Sequence, residues 1–477
     1  MGESCQGRGH QRAMTDSSVL HYLRISVASS LIRDGELSAT ELTEAHLRRI
    51  DAVDARVCAY ITVTAEQALD AAYRADREIK AGHYRGPLHG IPIAHKDIVC
   101  TRGVRTTAHS LLLKDWIPDE DATVFLRLRE AGAISLGKTA LHEFAYGISD
   151  HNAPFPIARN PWSLEHAPGS SSSGSGAAVA AGLCMGAIGT DTGGSVRHPA
   201  AVCSIVGMKP TYGLVSLYGV IPLAPSLDHV GPMTRTVRDN AIMLNAMAGF
   251  DAKDRTSVRS EPTNYERLIG QSVRGMRLGV PRRFMDLHPP EPLVMEEFER
   301  ALRTLRDLGA LIEDVDPAGV DESIDAANVI ISYEAHQYHQ EKLAADPEKY
   351  GASFRKRILG GLRSQLDYQA ALVYQKRLRS AFIDAFASGV DVIVSPGRES
   401  PPDTIEALLA GTVKRPAAHR MFNLTGMPAL TLPMGFTAAG LPLGLQIAAD
   451  HFREDLIYQV AAAYEDATRW CDRHPLL

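Results

Sequence analysis

The sequence predicts an α/β fold built on a large central sheet, and three observations carry that prediction. From Gly86 onward, short apolar runs of strand length alternate with amphipathic helical stretches, and Gly/Pro turns separate them. Residues 276–315 contain a βαβ pattern. The 477-residue chain is 45% hydrophobic and 22% charged, the composition of a soluble globular protein long enough to bury a large core without disulfide staples.

The elements read in order as follows. Ser38-Ala-Thr40-Glu41 resembles a capping start, and Leu42, Ala45, His46 and Ile50 then share one helical face. A second helix runs from Thr64 toward Gly82. Ile91–Lys96 reads as a strand, Ala122–Ala131 as a helix and Ala133–Leu136 as the next strand. Ala177–Leu183 is helical, and Gly186–Gly189 leads into a Gly-rich turn. Met276–Val280 is a strand. Val294, Phe298, Leu302, Leu305 and Leu308 make the stripe of a helix packed on a sheet, and Leu311–Val315 is the returning strand. Residues 325–386 read as mostly helical. Val390–Val394, Pro428–Gly435 and Gly444–Ala448 read as strands, and Glu454–Thr468 as the final helix. The chain shows no internal repeat and no long linker. One domain is therefore expected over 15–477. It divides into an N-terminal helical part (15–85), a core (86–250), a variable substrate-side part (251–420) and a closing core part (421–477). Residues 1–14 read as an extension or disordered tail.

The net charge of -6, from 50 basic and 56 acidic residues, gives no footprint for nucleic acid, which calls for a clustered basic excess. The short runs Arg282-Arg283 and Arg355-Lys356-Arg357 read as solvated faces. No stretch of 18 uninterrupted apolar residues is available to span a membrane. Cys5, Cys58, Cys100, Cys184, Cys203 and Cys471 are scattered without metal-like spacing. With no apolar leader at the start, this cysteine usage predicts a cytoplasmic location.

Chemistry concentrates in two Gly/Ser-rich segments. One is Pro168-Gly-Ser-Ser-Ser-Ser-Gly-Ser-Gly176, which flows into the alanines from Ala177. The other is Gly189-Thr-Asp-Thr-Gly-Gly-Ser-Val-Arg197. Both lie between apolar runs, which argues against a flexible linker. In Thr192-Gly193-Gly194-Ser195, successive backbone N–H groups can converge on one point, a nest suited to the oxyanion of a tetrahedral intermediate. A serine that ends such a nest is placed to attack the carbonyl whose oxygen the nest holds. A histidine base is poorly supported for it: no G-x-S-x-G elbow surrounds Ser195, and His95, His142, His198 and His229 read as packing or hydrogen-bonding residues. Lys96 is the better base. It closes an apolar strand, where burial penalises the ammonium and lowers its pKa.

Beyond these segments, Gly90-Ile-Pro-Ile-Ala-His-Lys96-Asp97, Gly207–Ser216, Ser226–Arg238, Asn423-Leu-Thr-Gly-Met-Pro428 and Gly440–Gln446 complete a pattern that resembles the amidase signature family over roughly residues 25–470. The resemblance implies a large mixed sheet covered by helices on both faces, and no metal or organic cofactor. It also implies a catalytic triad of Lys96, Ser171 on a cis peptide, and the nucleophile Ser195. The oxyanion hole then falls on the amides of Thr192, Gly193, Gly194 and Ser195, with Ser172, Asp191 and Arg197 as the supporting network. The chain departs from the family in one place: Ser170 and Ser173 replace glycines that flank the serine pair. Ser172 is therefore the fallback relay, although the 24-residue spacing keeps Ser171 in register with Ser195.

The activity implied is hydrolysis of carbon–nitrogen acyl bonds of a small-molecule amide or carbamate by a monomer or homodimer. Tyr146–Ile157, Tyr218–Leu223 and Arg398–Val413 are expected to shape the pocket. Tyr146, Ile148, Phe155 and Arg398 are its named members, and with Leu408-Leu409 they point to aryl amides and, more slowly, carbamates. The alternative is the A subunit of a tRNA-dependent amidotransferase, which hydrolyses glutamine to feed ammonia to a partner. Two further matches carry less. Gly132–Thr139 has the Walker A spelling, but its middle residues are themselves a strand. Glu334, His336 and His339 have loose metal-ligand spacing without a third strong partner.

Overall fold

The structure is a computed structural model, and it describes residues 20–146, 155–261, 263–413 and 417–477. Eleven strands form one sheet: β1 (Tyr60–Val63), β2 (Pro92–Lys96), β3 (Ile134–Thr139), β4 (Gly186–Thr190), β5 (Val206–Lys209), β6 (Val230–Thr234), β7 (Arg277–Val280), β8 (Leu311–Asp314), β9 (Val392–Pro396), β10 (Ala429–Phe436) and β11 (Pro442–Ala448). Their spatial order is β1-β3-β2-β4-β6-β5-β10-β11-β9-β7-β8. Parallel pairs (β2 with β3 and β4, β7 with β8 and β9) sit at two places in an otherwise antiparallel sheet, so it is mixed.

Side-chain alternation along the strands assigns the two faces. Ile93, Val392, Val394, Leu430 and Leu432 belong to one apolar cluster, which the helices Ile25–Arg33, Thr123–Glu130, Val237–Met247, Pro292–Asp307 and Glu454–Thr468 complete. Their neighbours Ala94, Ile393 and Ala429 point the other way. On that opposite face, one cluster packs under helices Ala39–Val57, Ala65–Lys80, Ser173–Ala180 and Arg197–Cys203. Another packs under helices Ser323–Ala345, Ala352–Gly360, Gln365–Ala387 and His419–Thr425. Helices thus cover both faces, as the sequence predicts.

Local chemistry explains the helix starts that matter. Ser38 and Glu41 make a reciprocal capping box, with Ser38 Oγ accepting from Glu41 N at 3.0 Å and Glu41 accepting from Ser38 N at 2.9 Å. The Ser/Gly run becomes helix Ser173–Ala180, fully buried along its length. It can pack this closely because Gly174 has no side chain: a Cβ there would lie 2.4 Å from both Ala140 N and Ala59 O. The helix therefore begins at Ser173, four residues before the start read from the alanines.

The segment with the Walker A spelling is a short turn after helix Thr123–Glu130 followed by β3, and Lys138 is buried in that strand rather than in a phosphate loop. Among the described residues no helix is long and apolar enough to cross a membrane, and no group of three potential ligand side chains gathers to hold a metal. His339 packs among Phe144, Tyr350 and Phe354, while Glu334 accepts from Ser226 and Tyr368.

Candidate active site

The turns that carry Gly169–Ser171 and Thr192–Ser195 converge at an open cavity. Lys96, the last residue of β2, is fully buried and reaches Ser171. Its Nζ lies 2.8 Å from Ser171 Oγ and 2.7 Å from Thr190 Oγ1. Burial dominates and pulls the lysine down to about 7, against the weaker opposing pull of the Asp228 and Asp191 carboxylates. The Ser170–Ser171 peptide is cis, and Ser170, Ser171, Thr192, Gly193, Gly194 and Ser195 all line the cavity. Ser172 is turned elsewhere. Its Oγ donates to Thr190 O at 3.2 Å and accepts from Thr190 N at 3.3 Å, so it braces the end of β4 rather than meeting the lysine.

The second turn is built around Asp191. Its carboxylate accepts from Gly194 N at 2.8 Å, from Val196 N at 3.1 Å, and from Arg197 Nε and Nη2, each at 3.0 Å. Burial opposes ionisation, but the Arg197 charge and the hydrogen bonds from Arg197 and Asn423 outweigh it and hold the carboxyl well below the usual range. Arg197, with no exposure, also donates to Gln446 Oε1 at 2.9 Å and Asn423 Oδ1 at 2.7 Å. Gly194 carries φ +117°, and a Cβ there would sit 2.4 Å from His419 Nδ1, so only glycine fits. Because the Gly194 N–H is engaged by Asp191, it is withdrawn from the oxyanion set expected from the sequence. Thr192 is tied by its own hydroxyl to Asp228 at 2.5 Å.

The outer wall corrects part of the sequence reading. Tyr146 and Arg398 line the cavity with Leu223, Ile331, Leu408 and Val413. Arg398 is paired to Asp403. Phe155 is not among the lining residues; its ring meets His109 edge-on at 5.4 Å, with the Arg105 guanidinium 5.8 Å away. Leu409 lies in the adjoining cavity, and Ile148 falls outside the described residues. Four contributors were not singled out from the sequence: Thr190, Asn423, Gln446 and Asp228. Each lies inside a stretch that carries the family resemblance, so the signal was present at the level of the motif but not of the individual side chain. Of the four histidines near these segments, His142 lines the cavity and donates its backbone N–H to Ser171 O at 3.1 Å, and two others are engaged with groups other than the Ser171 hydroxyl. His198 Nδ1 accepts from Ser170 N at 3.2 Å, His229 lies 3.2 Å from Lys209 Nζ, and burial holds both well below their ordinary value.

The amidase family profile matches residues 41–458. The chain belongs to the amidase family. It is 38% identical to the glutamyl-tRNA(Gln) amidotransferase A subunit of Syntrophus aciditrophicus (strain SB), over 96% of this chain and all of that one. Among solved structures, the peptide amidase of Stenotrophomonas maltophilia is 32% identical with a TM-score of 0.81, the match covering 95% of this chain and 98% of that one. A 6-aminohexanoate cyclic dimer hydrolase solved with its substrate is 27% identical with a TM-score of 0.85, covering 95% and 99%. Family membership makes this an amidase-signature hydrolase acting on carbon–nitrogen bonds.

Proposed function

We propose that the chain cleaves a carboxamide through an acyl-enzyme on Ser195. The observation that carries the proposal is Lys96: fully buried, its pKa held near 7, and hydrogen-bonded to Thr190 Oγ1 and to the hydroxyl of Ser171, which lines the same cavity as Ser195. Neutral Lys96 takes the Ser171 proton while Ser171 takes that of Ser195, whose Oγ bonds to the acyl carbon. The amides of Thr192, Gly193 and Ser195 receive the developing oxyanion. The proton then returns through Ser171 to the departing nitrogen as the C–N bond breaks, and water releases the acid by the same relay in reverse. Ser195→Ala is expected to lower kcat at least about ten-thousand-fold with folding retained. Residual turnover above a hundredth of wild type would remove Ser195 from this role.

For the substrate, the similarity to amidotransferase A subunits supports glutamine hydrolysis, with the ammonia passed to a partner, more than it supports the aryl amides and carbamates expected from the pocket residues. One observation favours the second reading: Leu223, Ile331, Leu408 and Val413 give the cavity an apolar wall. Steady-state kcat/KM of the purified single chain on glutamine, an acetanilide and an aryl carbamate separates the two. A tenfold preference, worth about 1.4 kcal/mol of transition-state binding, decides for the favoured substrate. Equal rates would exclude the wall from selection.

A further inference from the structure

A second, larger and more open cavity adjoins the one lined by Ser195, and Tyr146, Arg357 and Leu408 line both. Those three residues therefore form a rim that a long substrate crosses. The rim is ordered: the Arg357 guanidinium stacks 3.7 Å from the Tyr146 ring centroid and donates to Tyr146 O, and the Tyr146 hydroxyl lies 3.1 Å from Ser332 Oγ.

The charges on the two sides of this rim are one-sided. Beyond it lie Lys356 and Arg363, and the outer cavity has no carboxylate among its described lining residues. The inner cavity adds Arg398 and Arg420, with Asp403, paired to Arg398, as the single carboxylate among its described lining residues. Among the described lining residues the joined space thus carries five cations against one anion, in a protein whose net charge is -6. A concave space lined by one sign of charge raises the local potential and selects the opposite charge. The run Arg355-Lys356-Arg357, read from the sequence as a solvated face, supplies two of these cations, Lys356 exposed and Arg357 half-buried.

We infer that the substrate is an amide whose end remote from the scissile bond carries an anionic tail, which crosses the Tyr146–Arg357–Leu408 rim and is held by Lys356 and Arg363. This rests on the Ser195 reading of the inner cavity. It asks for a longer molecule than either free glutamine or a simple anilide.

The test uses two matched pairs: suberic acid mono-p-nitroanilide against its methyl ester, and N-hexanoyl-6-aminohexanoate against its methyl ester. The first pair places the tail on the acyl side and the second on the amine side. In at least one pair the acid should exceed the ester in kcat/KM by about tenfold, the size expected of two partly exposed charge contacts. A Lys356→Gln/Arg363→Gln variant should lose that preference while keeping its rate on the esters, and added salt should erode it in the wild type. A phosphonate in place of the carboxylate should be accepted equally if charge alone is read. No acid preference in either pair, or a preference that survives in the double variant, overturns the inference. Failure of the underlying reading is separable: Ser195→Ala would then hydrolyse all four compounds.

Discussion

Two fully buried lysines hang from neighbouring strands of the same sheet, and their surroundings differ in kind. Lys138 on β3 is 2.6 Å from both Val99 O and Thr106 Oγ1 and 3.5 Å from the Asp97 carboxylate, while Lys96 on β2 meets only the hydroxyls of Ser171 and Thr190. Burial pulls both lysines down. For Lys138 the partner is a carboxylate that burial in turn pushes up, so each charge stabilises the other. Lys96 has no such partner in contact, and its two hydroxyls serve either protonation state. Burial beside a carboxylate thus makes a structural lysine. Burial among groups that can both donate and accept makes a base.

The widest separation is expected from replacing each lysine by methionine. Lys96→Met should lower kcat at least about a thousand-fold yet raise stability, by on the order of 4 kcal/mol below pH 7, because a buried group that resists its charge is gone. Lys138→Met should instead lower stability by about 3 kcal/mol, since it strands the buried Asp97 carboxylate, and leave the activity of the folded fraction close to wild type. Denaturant unfolding paired with active-site titration reads both. Equal stability changes in the two variants would erase the distinction.

The next effect is in pH. A base held near 7 must be neutral to work, so kcat/KM should rise between about pH 6 and 8 and level off above. The stability of the wild type should follow the same group with a definite sign. Between about 7 and 10.5 the unfolded chain binds the Lys96 proton and the folded chain does not, so stability rises with pH through that window. Lys96→Met should flatten this rise. An acid limb unchanged in a weakly active Lys96 variant would assign it to another group.

The smallest expected change concerns the hydroxyl partners. Thr190→Val removes one acceptor of the Lys96 ammonium, so the acid limb should move to lower pH by up to about one unit, with less than a tenfold loss at the plateau. Thr106→Val, the equivalent change beside Lys138, should leave the limb in place. A limb that moved equally in both variants would mean that the two sites are electrostatically interchangeable.

This contrast also marks where the sequence is readable. Lys96 at the end of a short apolar strand and the glycine-rich turn around Asp191 declare themselves locally, through burial and backbone freedom. The βαβ unit of β7, helix Pro292–Asp307 and β8 does so through its stripe of Val294, Phe298, Leu302 and Leu305. Strand β1 was not legible, because its four residues between two helices show neither alternation nor a continuous apolar run. The order of the sheet was not legible either: β4 pairs with β6, and β5 with β10, across long stretches of chain. For the same reason the sequence puts Phe155 on the wrong wall and keeps Ser172 as a fallback. Which of two adjacent serines meets a lysine depends on how a turn is seated against a distant strand, not on the spelling of that turn.

The clamp on Asp191 sets an order of assembly. Arg197 and Asp191 are held by Asn423 and Gln446, which lie more than two hundred residues later in the chain. Gln446 sits on β11, which with β10 joins the two halves of the sheet. A chain emerging from the ribosome therefore carries Lys96, Ser171 and Ser195 long before the residues that lock the turn around them are synthesised. The turn around Ser195 is therefore locked only once the last strands are in place.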